Sequence, residues 1–205
     1  CPPTSICEKC NGTRPVRRSG ARSGRARAMH RGYLFFKYSF DFCAALLAVI
    51  LLSPLLLLVA IAIKAEDGGE IIFRQKRTGR GGKKFFCYKF RSMTSARVRY
   101  NKHRRVIGDE NPNVTKVGRV IRKLKIDELP QLFNILKGDM SIIGPRPLLP
   151  VFDRDYEDWE MIKFELRPGL TGLGQVRGNG YLSLYDRKYY DAYYAMHASL
   201  GLDIG

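Results

Sequence analysis

The stretch Ile126-Asp127-Glu128-Leu129-Pro130-Gln131-Leu132-Phe133-Asn134-Ile135-Leu136 sets two adjacent carboxylates directly before an apolar run. Leu129, Leu132, Phe133 and Leu136 recur three and four apart, the pattern of one buried helical face. Proline is tolerated in a first helical turn, where its missing N–H has no partner to lose, so Pro130 marks the start of a helix. This reading puts Asp127 near the N-cap and Glu128 near the first helical position, with the positive end of the helix dipole beside both. The free N–H groups of such an end also suit a phosphate. A carboxylate beside a phosphate can hold a divalent cation or attack phosphorus as a nucleophile. The plain alternative is a capping Asp and a dipole-matched Glu without chemistry.

On the N-terminal side, Val117, Val120, Ile121 and Leu124 have helical spacing and carry Arg119, Arg122 and Lys123 toward the pair. Such cations can clamp phosphate oxygens at a reacting centre; a solvated basic face is the alternative. Further back, two β-prone runs, 71–77 and 85–93, flank the Gly-rich turn 78–82 and predict a hairpin. Alternation sets Lys89 and Arg91 opposite Tyr88, Phe90 and Ser92. The turn lacks the spacing and Lys-Ser/Thr ending of a nucleotide-hydrolase phosphate loop. On the C-terminal side, Gly144-Pro145-Arg146-Pro147 holds Arg146 in a stiff extended segment, and Leu166-Arg167-Pro168-Gly169 repeats the device. A rigidly aimed Arg suits a carboxylate or a phosphate. Residues 152–165 are expected to be helical. The Tyr-rich remainder from Gln175 packs or lies at a membrane interface.

No charged side chain occurs from Phe42 to Ile63, a run of about 30 Å at helical rise. Ser53-Pro54 interrupts it. Pro54 cannot donate to the Ile50 carbonyl and predicts a kink or break, with the Ser53 hydroxyl able to satisfy a freed carbonyl. Arg27, Arg31 and Lys37 precede the run; Lys64, Arg74, Lys76 and Arg77 follow it. Basic residues prefer the cytoplasmic side, so two basic flanks fit a helix-break-helix that dips into one leaflet and returns; a straight span is the alternative.

With 205 residues there is room for one sizeable domain and an appendage, and a net charge of +17 calls for an anionic partner. No helix-turn-helix, zinc or RNA-binding motif supports nucleic acid as that partner. Five cysteines without a regular framework indicate reduced thiols and a cytosolic soluble part. The expected class is α/β, mainly helical. Residues 1–28 form a disordered basic tail, with Met29 reading as a natural start. Residues 29–64 form the re-entrant membrane helix, broken at Ser53-Pro54. Residues 65–205 form a cytosolic catalytic domain with a β-hairpin and amphipathic helices.

From about Tyr33 onward the chain closely resembles the small monotopic phosphoglycosyl transferases of the bacterial sugar transferase family. The resemblance rests on Ser53-Pro54, the motif from Tyr88 to Met93, that from Asp127 to Asn134, Gly138-Asp139-Met140-Ser141, Gly144-Pro145-Arg146-Pro147 and the motif from Arg167 to Gly172. It implies transfer of a sugar 1-phosphate from a UDP-sugar to polyprenol (undecaprenyl) phosphate, releasing UMP, the first membrane step of capsule, exopolysaccharide, O-antigen or glycoprotein glycan assembly. It further implies Asp127 as nucleophile, Glu128 as a residue that helps hold Mg²⁺, Arg122 as a phosphate binder, and Lys89, Arg146 and Arg167 as basic positions of the active site. The implied location is the cytoplasmic face of a bacterial inner membrane, with membrane lipid as a further partner, no nucleic acid, and a homodimer left open. Arg177 stands where the family often has Asn. Family chains continue past the Leu202-Asp203-Ile204 motif, and whether this chain is a fragment of a longer enzyme is left open. The competing reading is a non-catalytic, membrane-tethered basic binding protein.

Overall fold

The computed structural model describes residues 20–94, 111, 113–178 and 181–204, with side chains from 32 onward except those of 154 and 155. One helix dominates. Helix α1 spans Gly20–Asp67 and runs through Pro54 without interruption. The expected two-helix break is therefore not seen. The physical reason is local. Pro54 leaves the Ile50 carbonyl without its usual donor, and the Ser53 hydroxyl donates to that carbonyl at 2.8 Å, so the ladder loses little. Residues 20–28, expected within the tail, open α1. Residues 1–19 lie outside the described part.

One stripe of α1 packs along the rest of the protein. Leu34 joins Leu166 and Tyr194 in a first apolar cluster. Ala45 joins Leu132, Ile135 and Met140 in a second. Val59 and Ile63 join Phe90 and Ile121 in a third. The rest of its surface exposes Phe36, Phe40, Leu47, Ile50, Leu51 and Leu58. Only 11% of its most apolar window is buried, so this face needs an apolar surrounding. The part of α1 from Tyr33 to Asp67 is pinned to the same body at both of its ends. Near the start, Lys37 Nζ lies 2.7 Å from Asp203, which also accepts from the Tyr33 and Tyr194 hydroxyls. At the end, Asp67 pairs with Arg91, and the Glu66 carboxylate accepts from the backbone N–H of Lys116 and Val117.

The hairpin is as expected. Strands β1 (Ile72–Thr78) and β2 (Lys84–Phe90) are antiparallel, with Gln75 opposite Cys87 and Arg77 opposite Phe85. Helix α2 (Lys116–Lys123) begins at Thr115, whose side chain accepts from Gly118 N–H. Gly118 is required there because a Cβ would lie 2.1 Å from the Ser92 carbonyl oxygen.

The helix after the carboxylate pair starts later than the sequence pattern predicts. Lys125 is left-handed, Ile126–Glu128 form a single 3₁₀ turn, and α3 covers Gln131–Leu136 with Pro130 as its N-cap. Asp127 and Glu128 thus belong to the turn before α3, because the left-handed residue redirects the chain out of α2. A parallel pair not anticipated from sequence joins β3 (Ser141–Ile143) to β4 (Gly169–Thr171). A Cβ on Gly169 would lie 2.2 Å from Gly144 N, so the two Arg-Pro motifs meet backbone to backbone. Residues 152–165 are not one helix. They form two 3₁₀ segments, Pro150–Asp155 and Glu160–Glu165, with Tyr156 extended between them. The buried pairs Lys163–Asp191 and Lys188–Glu160 hold this stretch against α5 (Leu184–His197), overriding local helical preference. Two short helices, α4 (Leu173–Val176) and α6 (Leu200–Ile204), complete the described chain.

Candidate active site

Strand β2 is the open edge of its sheet, and one buried side chain closes it. The Asn134 amide donates to the Phe86 carbonyl at 2.7 Å and accepts from the Tyr88 N–H at 3.0 Å. Asn134 is wholly buried. It stands in for a third strand and locks α3 to the hairpin. That lock brings Lys89 to the turn before α3, where its Nζ lies 2.6 Å from Glu128 Oε1.

Around this pair the chain assembles a basic cleft. A narrow part is lined by Arg77, Lys89, Glu128, Gln131, Arg146 and Gln175. A wider part of about 320 Å³ is lined by Lys125, Glu128, Arg146, Thr171 and Gln175. The two share Glu128, Arg146, Leu170 and Gln175. Asp127 is half-buried in the same turn. Burial pushes its pKa above the ordinary carboxylate range; Lys89 works against this, Glu128 adds to it, and Lys125 and Arg122 oppose it. Glu128 lies below its ordinary range. Burial alone would raise it, but Lys89, through charge and hydrogen bond, outweighs burial together with Arg146 and Lys125. The stability Glu128 contributes is therefore present above the ordinary Glu range and lost as pH falls through the depressed value.

Arg146 is aimed as its flanking prolines predict, and buried groups fix it further. Its N–H donates to Asp191 at 2.9 Å, its carbonyl accepts from Lys163 at 3.1 Å, and Lys163 and Asp191 pair at 2.6 Å. Arg122 occupies the last turn of α2 and acts electrostatically on Asp127. Arg167 goes elsewhere. Its guanidinium stacks 4.1 Å from the Tyr38 ring centroid, beside Gly138 at the far end of α3. It lines neither part of the cleft. Ser53 and Pro54 lie on the exposed face of α1.

Sequence reading missed Arg77 as a cleft residue, because it needs the hairpin register. Arg77 sits opposite Phe85, which puts it on the face of Cys87 and Lys89. It also missed Lys125, whose φ of 60° and ψ of 14° place a non-glycine residue in the left-handed region. That conformation costs about 1 kcal/mol. Lys125→Gly is expected to raise stability by about 1 kcal/mol, read as a higher thermal midpoint in detergent. It should also weaken anion binding at the cleft by roughly an order of magnitude, read by calorimetry. Unchanged binding would remove Lys125 from the site.

Among the described residues no three His, Cys, Asp or Glu side chains gather to cage a metal ion. The residues do fit Mg²⁺ in its other common mode, held by one or two carboxylates and by substrate phosphates. Glu128 is ionised and faces both parts of the cleft. Asp127 itself lines neither part of the cleft; it stands next to Glu128 in the same turn, within the field of Lys89, Lys125 and Arg122, so the pair can meet an anionic ester at the cleft's edge and offer it an oxygen nucleophile.

The profile of the family described as bacterial sugar transferase matches residues 32–205. The chain is 44% identical over 180 residues to the UDP-N-acetylgalactosamine-undecaprenyl-phosphate N-acetylgalactosaminephosphotransferase of Aeromonas hydrophila, covering 84% of this chain and 42% of that protein. It is 42% identical over 182 residues to the exopolysaccharide production protein ExoY of Sinorhizobium fredii, covering 82% and 80%. It is 39% identical over 189 residues to the undecaprenyl-phosphate galactose phosphotransferase of Salmonella typhimurium, covering 85% and 39%. The chain thus spans about two fifths of the Aeromonas and Salmonella proteins and four fifths of the Sinorhizobium one.

Proposed function

This chain belongs to the bacterial sugar transferase family, and from that membership we propose that it moves a sugar 1-phosphate from a UDP-sugar to polyprenol phosphate. Undecaprenyl phosphate is the natural form of that acceptor, since relatives are named for it. The observation that carries the reading is Glu128 in a cleft of Arg77, Lys89, Lys125 and Arg146, with half-buried Asp127 beside it in the same turn.

Asp127 attacks the phosphorus that bears the sugar. A carboxylate oxygen–phosphorus bond forms, the phosphoanhydride bond breaks, and UMP leaves with the bridging oxygen. The acceptor's phosphate oxygen then attacks the same phosphorus, and Asp127 departs as a carboxylate. The products are polyprenyl-diphosphate-sugar and UMP. Lys89, Arg122 and Arg146 bind and orient the phosphate oxygens, and their fixed charges stabilise the added charge of each displacement. Glu128 would hold Mg²⁺, which supplies neutralising charge to the donor diphosphate. Burial, which also raises the Asp127 pKa, leaves its carboxylate poorly solvated, and this favours a bond to phosphorus over contact with water.

The pinned helix supports a placement of the chain at one face of a membrane. A helix with both ends tied to one folded body leaves that body on one side of a bilayer. Its uncovered apolar face then lies in a single leaflet, a monotopic arrangement; a re-entrant dip would in addition require α1 to bend at Ser53-Pro54. The basic flanks favour the cytoplasmic face of the inner membrane. This sets the cleft at headgroup level, where a polyprenol presents its phosphate. The products suit initiation of exopolysaccharide or lipopolysaccharide glycans.

The test incubates the full chain in liposomes containing undecaprenyl phosphate with a panel of UDP-sugars and measures UMP. Release of UMP with one sugar, dependent on the acceptor, is expected. No UMP from any donor, with binding of polyanions retained, would instead favour a basic binding protein.

A further inference from the structure

A second groove, of about 500 Å³, lies between α1 and the C-terminal end of α3. Its walls include Phe35, Phe42, Ile135 and Leu136, and it is also lined by Lys137 and Arg167. It shares no lining residue with either part of the cleft at Glu128. Among the described residues no carboxylate pairs with Arg167 or Lys137. Arg167 is instead held by Tyr38: the ring stacks on the guanidinium, and the hydroxyl accepts from the Arg167 N–H at 3.2 Å. Stacking leaves the in-plane donors of the guanidinium edge unused, a fork that matches two phosphate oxygens. Lys137 donates one bond to the Tyr88 hydroxyl at 2.7 Å and has two further donors.

Apolar walls with a cationic pair fit an amphiphile with an anionic head. The position on the chain agrees. The groove touches α1 from Phe35 to Cys43, where the charge-free run to Ile63 begins. On the one-leaflet placement of α1, on which this inference rests, that is the level of lipid headgroups. We propose that the groove seats one anionic glycerophospholipid of the surrounding bilayer. Its phosphate lies between Arg167 and Lys137, and one acyl chain lies against Phe35, Phe42 and Leu136. The reacting phosphate of the acceptor is not the occupant, because the groove meets α3 at Ile135 and Leu136, the end away from the Asp127 turn, and shares no lining residue with the cleft at Glu128. The seated lipid fastens α1 to α3 at the membrane surface.

The test titrates the full chain in neutral detergent with phosphatidylglycerol and reads bound lipid by native mass spectrometry. Arg167→Gln with Lys137→Gln is expected to weaken binding about tenfold. Lys137→Gln alone, at an exposed side chain that leaves the fold undisturbed, should give part of that loss. Arg74→Gln with Lys76→Gln removes the same charge from exposed β1 and should leave binding unchanged. Equal loss in both double variants would reduce the effect to net charge and overturn the proposal. So would displacement of phosphatidylglycerol by equimolar undecaprenyl phosphate, which would make the groove an acceptor site. Flotation with vesicles separates the premises. If the chain fails to float, the one-leaflet placement fails; if it floats but holds no groove-dependent lipid, only this proposal fails.

Discussion

Asp127→Asn eliminates UMP release, lowering turnover by at least about 10⁴-fold, while the fold survives and gains stability near neutral pH. An amide has no anionic oxygen to bond to phosphorus, so both displacements lose their reacting atom. The stability gain follows from the raised pKa. A carboxyl whose folded pKa lies above its unfolded value favours folding fully below the unfolded value, and that contribution is lost as pH rises through the folded one. At neutral pH the folded chain therefore carries an ionised Asp127 that burial disfavours. The variant's thermal midpoint should exceed the parent's at neutral pH, and the two should converge as pH falls through the ordinary Asp range. Parent-like UMP release by the variant would remove Asp127 as nucleophile. A lower midpoint at all pH values would show that its charge holds the turn together.

Asn134→Leu lowers stability by about 2–5 kcal/mol, with the loss felt at Glu128. The substitution leaves the Phe86 carbonyl and Tyr88 N–H without their partner, and each buried unsatisfied group costs about 1–3 kcal/mol. The volume is nearly kept, so packing loss is small. The same two bonds hold β2 against α3 and so set Lys89 against Glu128. Donor affinity should fall with stability, measured by thermal unfolding in detergent and by calorimetry with the UDP-sugar. A midpoint within a degree or two of the parent would show that water or another residue closes the strand edge.

The sequence was most informative where a signal is local. The hairpin showed in two alternating runs around glycines, and it appears with Lys89 on the expected face. The apolar run and its Ser53-Pro54 step were visible as composition, and Ser53 does satisfy the Ile50 carbonyl. The expected break was overestimated, because proline removes one bond while packing of Ala45, Val59 and Ile63 holds the helix on both sides of it. The helix at 152–165 was misread for the converse reason. Its spacing is helical, but the Lys163–Asp191 and Lys188–Glu160 pairs fix it against α5 as two separate 3₁₀ turns. Arg146 and Arg167 carry the same local device, an Arg before Pro. One reaches the cleft and the other stacks on Tyr38 of α1.

Motif order, charge and hydropathy by themselves determined the family resemblance, the membrane-seeking helix and the carboxylate pair. These are properties of neighbouring residues, set by covalent spacing and side-chain chemistry. Only the tertiary structure decided which cations meet Glu128, that α1 is tied to one body from Tyr33 to Asp67, and that Arg167 lines a different groove. Those outcomes depend on strand register, on one buried amide and on ion pairs between residues far apart in sequence. Their energies exist only once burial has removed water from both partners.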